Sequence, residues 1–227
     1  MVQPEDDMRP DAVRIAADGN RINVVAEDRN DFAIEGTATM SVAGSVVTID
    51  EVEGGMTVAV PRFIDVVIGT TSGRIRVTGP VGEVAVTTES GRVDISGAAG
   101  VDVRAVSSRV EATDIGGRCR IRTQGGRVVV NGCGGPAELS TDAGRIELQA
   151  GRGSVTAHCV TGRIVVTLDS ANDVAAETVN GRIEVSLPPG SRPYLPGPTE
   201  PPIDTPEGYD CTVVARSVTG KVSVDAR

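Results

Sequence analysis

The chain has 227 residues, of which 39% are hydrophobic and 23% charged, so it can form one sizeable domain or two small ones and is too apolar to be disordered throughout. A formal net charge of −9 argues against general affinity for nucleic acid or for an anionic membrane. Aromatic residues are only 2% and Trp is absent, so a core must be filled by Val, Ile and Ala, and the β-branched members of that set favour strands.

Residues 1–10 are acidic and polar and read as a disordered tail without the features of a signal peptide. No run of about twenty apolar residues follows, so direct membrane insertion is not expected, and the sequence as given reads as cytoplasmic. Residues 11–60 alternate loosely, with apolar positions at Val13/Ile15, Ile22/Val24, Phe32/Ile34, Val46/Val47/Ile49 and Val58/Val60. Gly19-Asn20, Asp28-Arg29-Asn30 and Glu53-Gly54-Gly55 read as the turns between them. The expectation is a cap of antiparallel strands, because the open end of a sheet is an unpaired edge.

From residue 61 onward a turn signature recurs: Ser72-Gly73-Arg74, Ser90-Gly91-Arg92, Ser107-Ser108-Arg109, Gly125-Gly126-Arg127, Ala143-Gly144-Arg145, Thr161-Gly162-Arg163, Asn180-Gly181-Arg182 and Thr219-Gly220-Lys221. Its centres step by 18, 17, 18, 18, 18, 19 and 39 residues. Two and four residues beyond each centre the chain is apolar, as in Val128/Val130 and Ile146/Leu148, and the same pair follows each half-step, as in Val101/Val103 and Cys119/Ile121. Period-two alternation of this kind marks a strand with one buried face. The fold expected is all-β: a parallel β-solenoid of about eight coils of 18 residues, two strands per coil, capped by the N-terminal antiparallel strands. A column of mostly hydroxylated residues, among them Thr70, Thr88, Thr123, Thr141 and Thr178, should hydrogen-bond at one corner.

Residues 188–208 hold eight of the 13 prolines and read as an extended, non-strand insertion, with Tyr194 a solvated residue or a recognition residue. The step of 39 is then one coil plus this insertion, or two coils and a few residues. The last strand precedes Arg227 closely, which suggests an exposed edge there.

The cationic position of the signature projects outward from one sheet, giving a candidate binding face of Arg74, Arg92, Arg109, Arg127, Arg145, Arg163 and Arg182, continued by Lys221. One reading is a linear site for an anionic polymer or an acidic partner. The other, preferred on the residues alone, notes Asp94, Glu111, Glu147 and Glu184 two residues on, placed to pair with the arginines between coils. Arg76, Val129 and Val165 interrupt that acidic column, and the opposite sheet reads as small and weakly charged.

No cofactor or metal site is expected. Cys119, Cys133, Cys159 and Cys211 form no C-x-x-C pair and read as buried thiols, and the turns carry Arg where a calcium-binding nonapeptide needs a carboxylate. His158 beside Cys159 has no evident third partner for nucleophilic catalysis, and no phosphate loop or dinucleotide fingerprint occurs, so an enzyme is not expected.

These repeats resemble a bacterial β-strand-repeat family of unknown function labelled "putative adhesin" and also called toastrack. The resemblance rests on Val60-Pro61 before the repeats, on the S/T/N-G-R-h-x-h units and on Thr178-Val179-Asn180-Gly181-Arg182-Ile183-Glu184-Val185, and spans about residues 11–227. It implies a β-solenoid without catalytic residues that acts in envelope-stress signalling or surface adhesion. The coils also resemble bactofilins, which would imply a self-assembling structural protein. The functional expectation is a non-enzymatic binding or scaffold module for a protein partner or for self-association. A self-assembling polymer is the first alternative, and a carbohydrate-binding or polysaccharide-cleaving β-helix the second.

Overall fold

The computed structural model describes residues 11–197 and 205–226, so the acidic segment 1–10, the prolines at 198, 201 and 202, and Arg227 lie outside the described residues. The elements are all strands: β1 (Ala12–Ala17), β2 (Arg21–Glu27), β3 (Ala33–Ala43), β4 (Val46–Pro61), β5 (Asp65–Thr70), β6 (Arg74–Ile115), β7 (Cys119–Cys133), β8 (Ala137–Gly151), β9 (Val155–Leu168), β10 (Val174–Ser186), β11 (Pro193–Tyr194), β12 (Cys211–Thr219) and β13 (Val222–Asp225). Pairing is parallel throughout except between β3 and β4.

The register follows the repeat. Val101 pairs with Cys119, Cys119 with Ala137, and Ala137 with Val155, each one repeat of 18 residues away, while Arg109, Arg127, Arg145 and Arg163 pair in the same succession. Each of β7 to β10 therefore runs through both half-units of a layer, and the layers stack by backbone hydrogen bonds. The apolar offsets point inward as their alternation requires: Val110, Val128, Val130, Ile146, Leu148, Ile164 and Val166 are all fully buried. Each such side chain contributes about 1.5–3 kcal/mol by leaving water, which stacked layers together set against the cost of ordering the chain.

At the corner between half-units the layers touch through backbone. A Cβ on Gly144 would lie 1.8 Å from the carbonyl oxygen of Gly126, and one on Gly162 would lie 1.7 Å from that of Gly144. Glycine is thus required by contact as well as by its positive φ of 151° at Gly144. Ser108 replaces glycine in one layer, and its buried hydroxyl has no hydrogen-bond partner among the described residues. Next to this column the hydroxyl ladder bonds to turn carbonyls, as expected: Thr70 to Ser72 at 2.8 Å, Thr88 to Ser90 at 2.9 Å and Thr123 to Gly125 at 2.8 Å.

The N-terminal segment departs from expectation. Only β3 is antiparallel, pairing with β4 through both of its halves. β1 pairs in parallel with both β4 and β5, and β2 with both β4 and β6, so residues 12–27 form a layer between that of β4 and the first layer of the repeat. Val13 and Ile22, like Val47 and Met56, stand nine residues apart in paired positions, which is the half-unit of the repeat itself. These segments can therefore extend the parallel ladders, and Glu53-Gly54-Gly55, expected to separate strands, lies inside β4 at the corner of a layer. Two further parallel layers join the eight of the repeat, making ten among the described residues, and antiparallel β3 adds an outermost layer over β4.

β12 pairs directly with β10, which fixes the step of 39 residues as one layer plus the insertion. Within the insertion Pro193–Tyr194 forms a short strand on the edge of β12, where an edge position tolerates the missing N–H of proline. Tyr194 packs edge-on against Tyr209 with ring centroids 5.3 Å apart, and Thr212 N–H donates to Asp173 at 2.7 Å where the chain re-enters the stack.

Replacing Gly144 by Ala should destabilise the protein by at least about 1–3 kcal/mol, because the added methyl displaces a hydrogen-bonded neighbour. Ser108→Gly should be neutral or stabilising, since losing an unsatisfied hydroxyl offsets glycine's chain entropy. Denaturant melts of the two variants beside the parent protein measure both effects.

Candidate binding faces

The signature Gly sets the direction of the side chains after it. The next residue projects outward and the one after that inward, so Arg74, Arg92, Arg109, Arg127, Arg145, Arg163 and Arg182 form one outward column, continued below by Arg21 and above by Lys221. Within the adjacent column, Glu111, Glu147 and Glu184 each join the arginine of their own layer to one from the layer before. Glu147 binds Arg127 at 2.9 Å and Arg145 at 3.2 Å, Glu111 binds Arg92 at 3.1 Å and Arg109 at 3.7 Å, and Glu184 binds Arg182 at 3.6 Å and Arg163 more closely still. Asp94 binds Arg92 at 2.6 Å.

The two charges are not equally presented to solvent. The Glu147 side chain is 14% exposed, against 43% for Arg127 and 39% for Arg145. Asp94 is recessed likewise, while Glu111 and Glu184 are about a third exposed. Hydrogen bonding to Arg127 holds Glu147 below the usual carboxylate range, and Arg163 does the same for Glu184. The Nε atoms of Arg145 and Arg163 are buried and make no hydrogen bond among the described residues, so these side chains present their terminal nitrogens. Over the two outward columns ten cationic residues face four carboxylates among the described residues.

The opposite sheet is not uniformly weak in charge. Arg104 and Arg122 are register partners, as are Asp102 and Arg120, and Arg120 and Glu138. Glu138 accepts from Arg120 at 2.8 Å and from Arg118 more closely, and lies 3.9 Å from Arg122; Asp102 lies 3.6 Å from Arg104. Arg120 and Arg118 pull the Glu138 carboxyl down to about 2. Alternate arginines across adjacent layers were the available signal for this cluster. It becomes apparent only when the half-unit columns are laid side by side.

The histidine and cysteine chemistry separates as alternation dictates: His158 is exposed and Cys159 is buried with its thiol 3.9 Å from the Gly144 carbonyl. All four cysteines are free and buried. The Cys133 thiol donates to the Gly135 carbonyl at 3.2 Å, and the neighbouring Cys133 together with burial pushes the Cys119 thiol up. Two open grooves lie away from the arginine column. One of about 580 Å³ includes Asp11, Arg29 and Phe63, and one of about 550 Å³ includes His158, Glu177, Pro196 and Val218. No helix among the described residues is long and apolar enough to cross a membrane.

Comparison with known proteins finds no matching family model and no matching curated protein. Among solved structures, the chain is similar to one described as a "putative cell adhesion protein" from Clostridium sporogenes, with 8% identity, 96% of this chain and 93% of the other covered, and a TM-score of 0.28. That is a distant structural relation only.

Because the Glu138 carboxyl is depressed from 4.5 to about 2 by its arginines, its contribution to stability is complete above the ordinary glutamate range and is lost as pH falls through that interval. Thermal melts across the same interval should fall less steeply for Glu138→Gln than for the parent protein. Parallel curves for the two would remove Glu138 as a source of acid sensitivity.

Proposed function

We propose that the chain is a non-enzymatic β-solenoid scaffold that presents its arginine-columned sheet to an acidic protein partner. The observation that carries this reading is the excess of guanidiniums over carboxylates on this face, with Asp94 and Glu147 recessed among them: a protein of net charge −9 turns a cationic, regularly spaced surface to solvent. A parallel ladder holds that surface rigid, so little ordering cost is paid on binding. Arginine suits the task because its planar fork of donors matches a carboxylate in two hydrogen bonds. The periodic character of the face, and the separation of His158 from Cys159 by strand alternation, favour binding over catalysis. The repeat units' resemblance to the toastrack family points the same way.

Polyglutamate is the simplest probe of this face. It should bind at low salt and weaken steeply as salt rises, since exposed charges are screened within about 10 Å at 0.1 M. Reversing two charges, Arg127→Glu with Arg145→Glu, should weaken binding by about tenfold or more, the equivalent of about 1.4 kcal/mol. Unchanged binding by the double variant would sink the proposal, and stronger binding of polygalacturonate than of polyglutamate would favour the carbohydrate reading.

A self-assembling polymer is less well supported, because antiparallel β3 closes one end of the stack and breaks the parallel continuity that end-to-end stacking would use. Sedimentation velocity should then give a single species whose coefficient does not rise with concentration. Filaments would restore the polymer reading.

A further inference from the structure

The second sheet carries a feature that the repeat does not demand. Its outer columns hold uncharged residues in some layers, such as Val67 and Gly69 or Ala85 and Thr87, and single charges in others, such as Arg14, Glu177 and Arg216. In two successive layers they hold Arg104, Arg120 and Arg122, with Arg118 at the edge. A residue type that recurs in every layer can be explained by stacking alone. A cluster confined to two layers cannot.

The acids within the cluster are committed unequally. Glu138 is engaged by Arg120 at 2.8 and 3.2 Å and by Arg118, and stands 3.9 Å from Arg122. Asp102 is 3.6 Å from Arg104 and 3.9 Å from Arg120. Arg104 and Arg122 thus make no closer ion pair among the described residues, and their side chains are 65% and 55% exposed. They are register partners, so their Cα atoms stand about 4.8 Å apart. The same column continues in register with Ser140 and then His158. Two guanidiniums, a hydroxyl and an imidazole in successive layers are donors suited to a compact, multiply charged oxyanion and to the polar group attached to it.

We propose that this column is a binding site for a tetrahedral oxyanion, the phosphate or sulfate ester of a small polar molecule. Arg104 and Arg122 clamp the anion from adjacent layers, and Ser140 and His158 receive the rest of the ligand. Glu138 holds Arg120 and Arg118 away from the anion and keeps the cluster from collapsing onto one carboxylate. The site lies on the opposite sheet from the arginine column and stands independently of the proposed scaffold function.

Calorimetric titration of the full chain with inorganic phosphate, and separately with inorganic sulfate, at low ionic strength tests the site. Saturable binding is expected, weakened about tenfold or more in Arg104→Gln and in Arg122→Gln, as loss of one charged hydrogen-bonding partner requires. Arg14→Gln, an exposed arginine outside both arginine clusters, should bind as the parent does. Both test residues are exposed, so far-UV circular dichroism should match the parent in every variant. Tighter phosphate binding assigns a phosphate ester and tighter sulfate binding a sulfate ester. Absence of saturable binding for either anion, or binding that Arg104→Gln and Arg122→Gln leave unchanged, overturns the proposal.

Discussion

The backbone contact at the glycine corner governs the rest of the molecule. Where Gly144 lies over the Gly126 carbonyl there is no space for a side chain, so glycine predominates at this corner of the layers. Strand alternation then assigns every following residue to one side. Arg145 faces outward, Ile146 inward, Glu147 outward and Leu148 inward because Gly144 is fixed. The arginine column, the carboxylates beside it and the buried aliphatic stack are therefore consequences of one steric requirement repeated layer after layer. Asn20 and Ser108 mark how far that requirement bends: each takes the corner position in its layer, and the Ser108 hydroxyl is unsatisfied among the described residues.

Much of this was legible in the sequence because the repeat combines a turn residue with a period of two. The register of β7 on β8, the buried set and the hydroxyl ladder all follow from those two signals. The direction of the N-terminal strands did not follow. Alternation at Val13/Ile15 and Ile22/Val24 is the same for parallel and antiparallel pairing, and the corner triplets Gly19-Asn20-Arg21 and Glu53-Gly54-Gly55 depart from the signature. The nine-residue step between those pairs carried the answer, and Arg21 pairing with Arg74 shows that the cationic column reaches into this segment. Pairing of Arg and carboxylate columns was also legible from spacing. The recession of Glu147 beneath Arg127 was not, because it depends on side-chain length and packing across layers.

The two sheets put charge to different uses. On the signature sheet Glu111 and Glu147 bridge arginines of successive layers, so repulsion within the column is relieved along the stack and no single layer stands out from the next. On the other sheet Glu138 and Asp102 sit among four arginines in a patch that does not repeat along the stack. A periodic surface suits a partner that is itself extended or repetitive. A bounded patch suits a ligand of fixed size, because only one position along the stack offers the full set of donors.

The placement of β1 and β2 between the layer of β4 and that of β5 has a mechanical consequence. In a stack that follows chain order, the outermost layer is a terminus and can fray by peeling away one residue at a time. Here the outermost layers, β3 and β4, are an internal segment joined to β2 on one side and to β5 on the other. Detaching them releases a loop tethered at both ends, which gains less conformational freedom than a free tail of equal length and returns by an intramolecular step. The exposed end of the sheet is thus held shut by chain connectivity in addition to its hydrogen bonds, a form of closure that no substitution within β3 alone can remove.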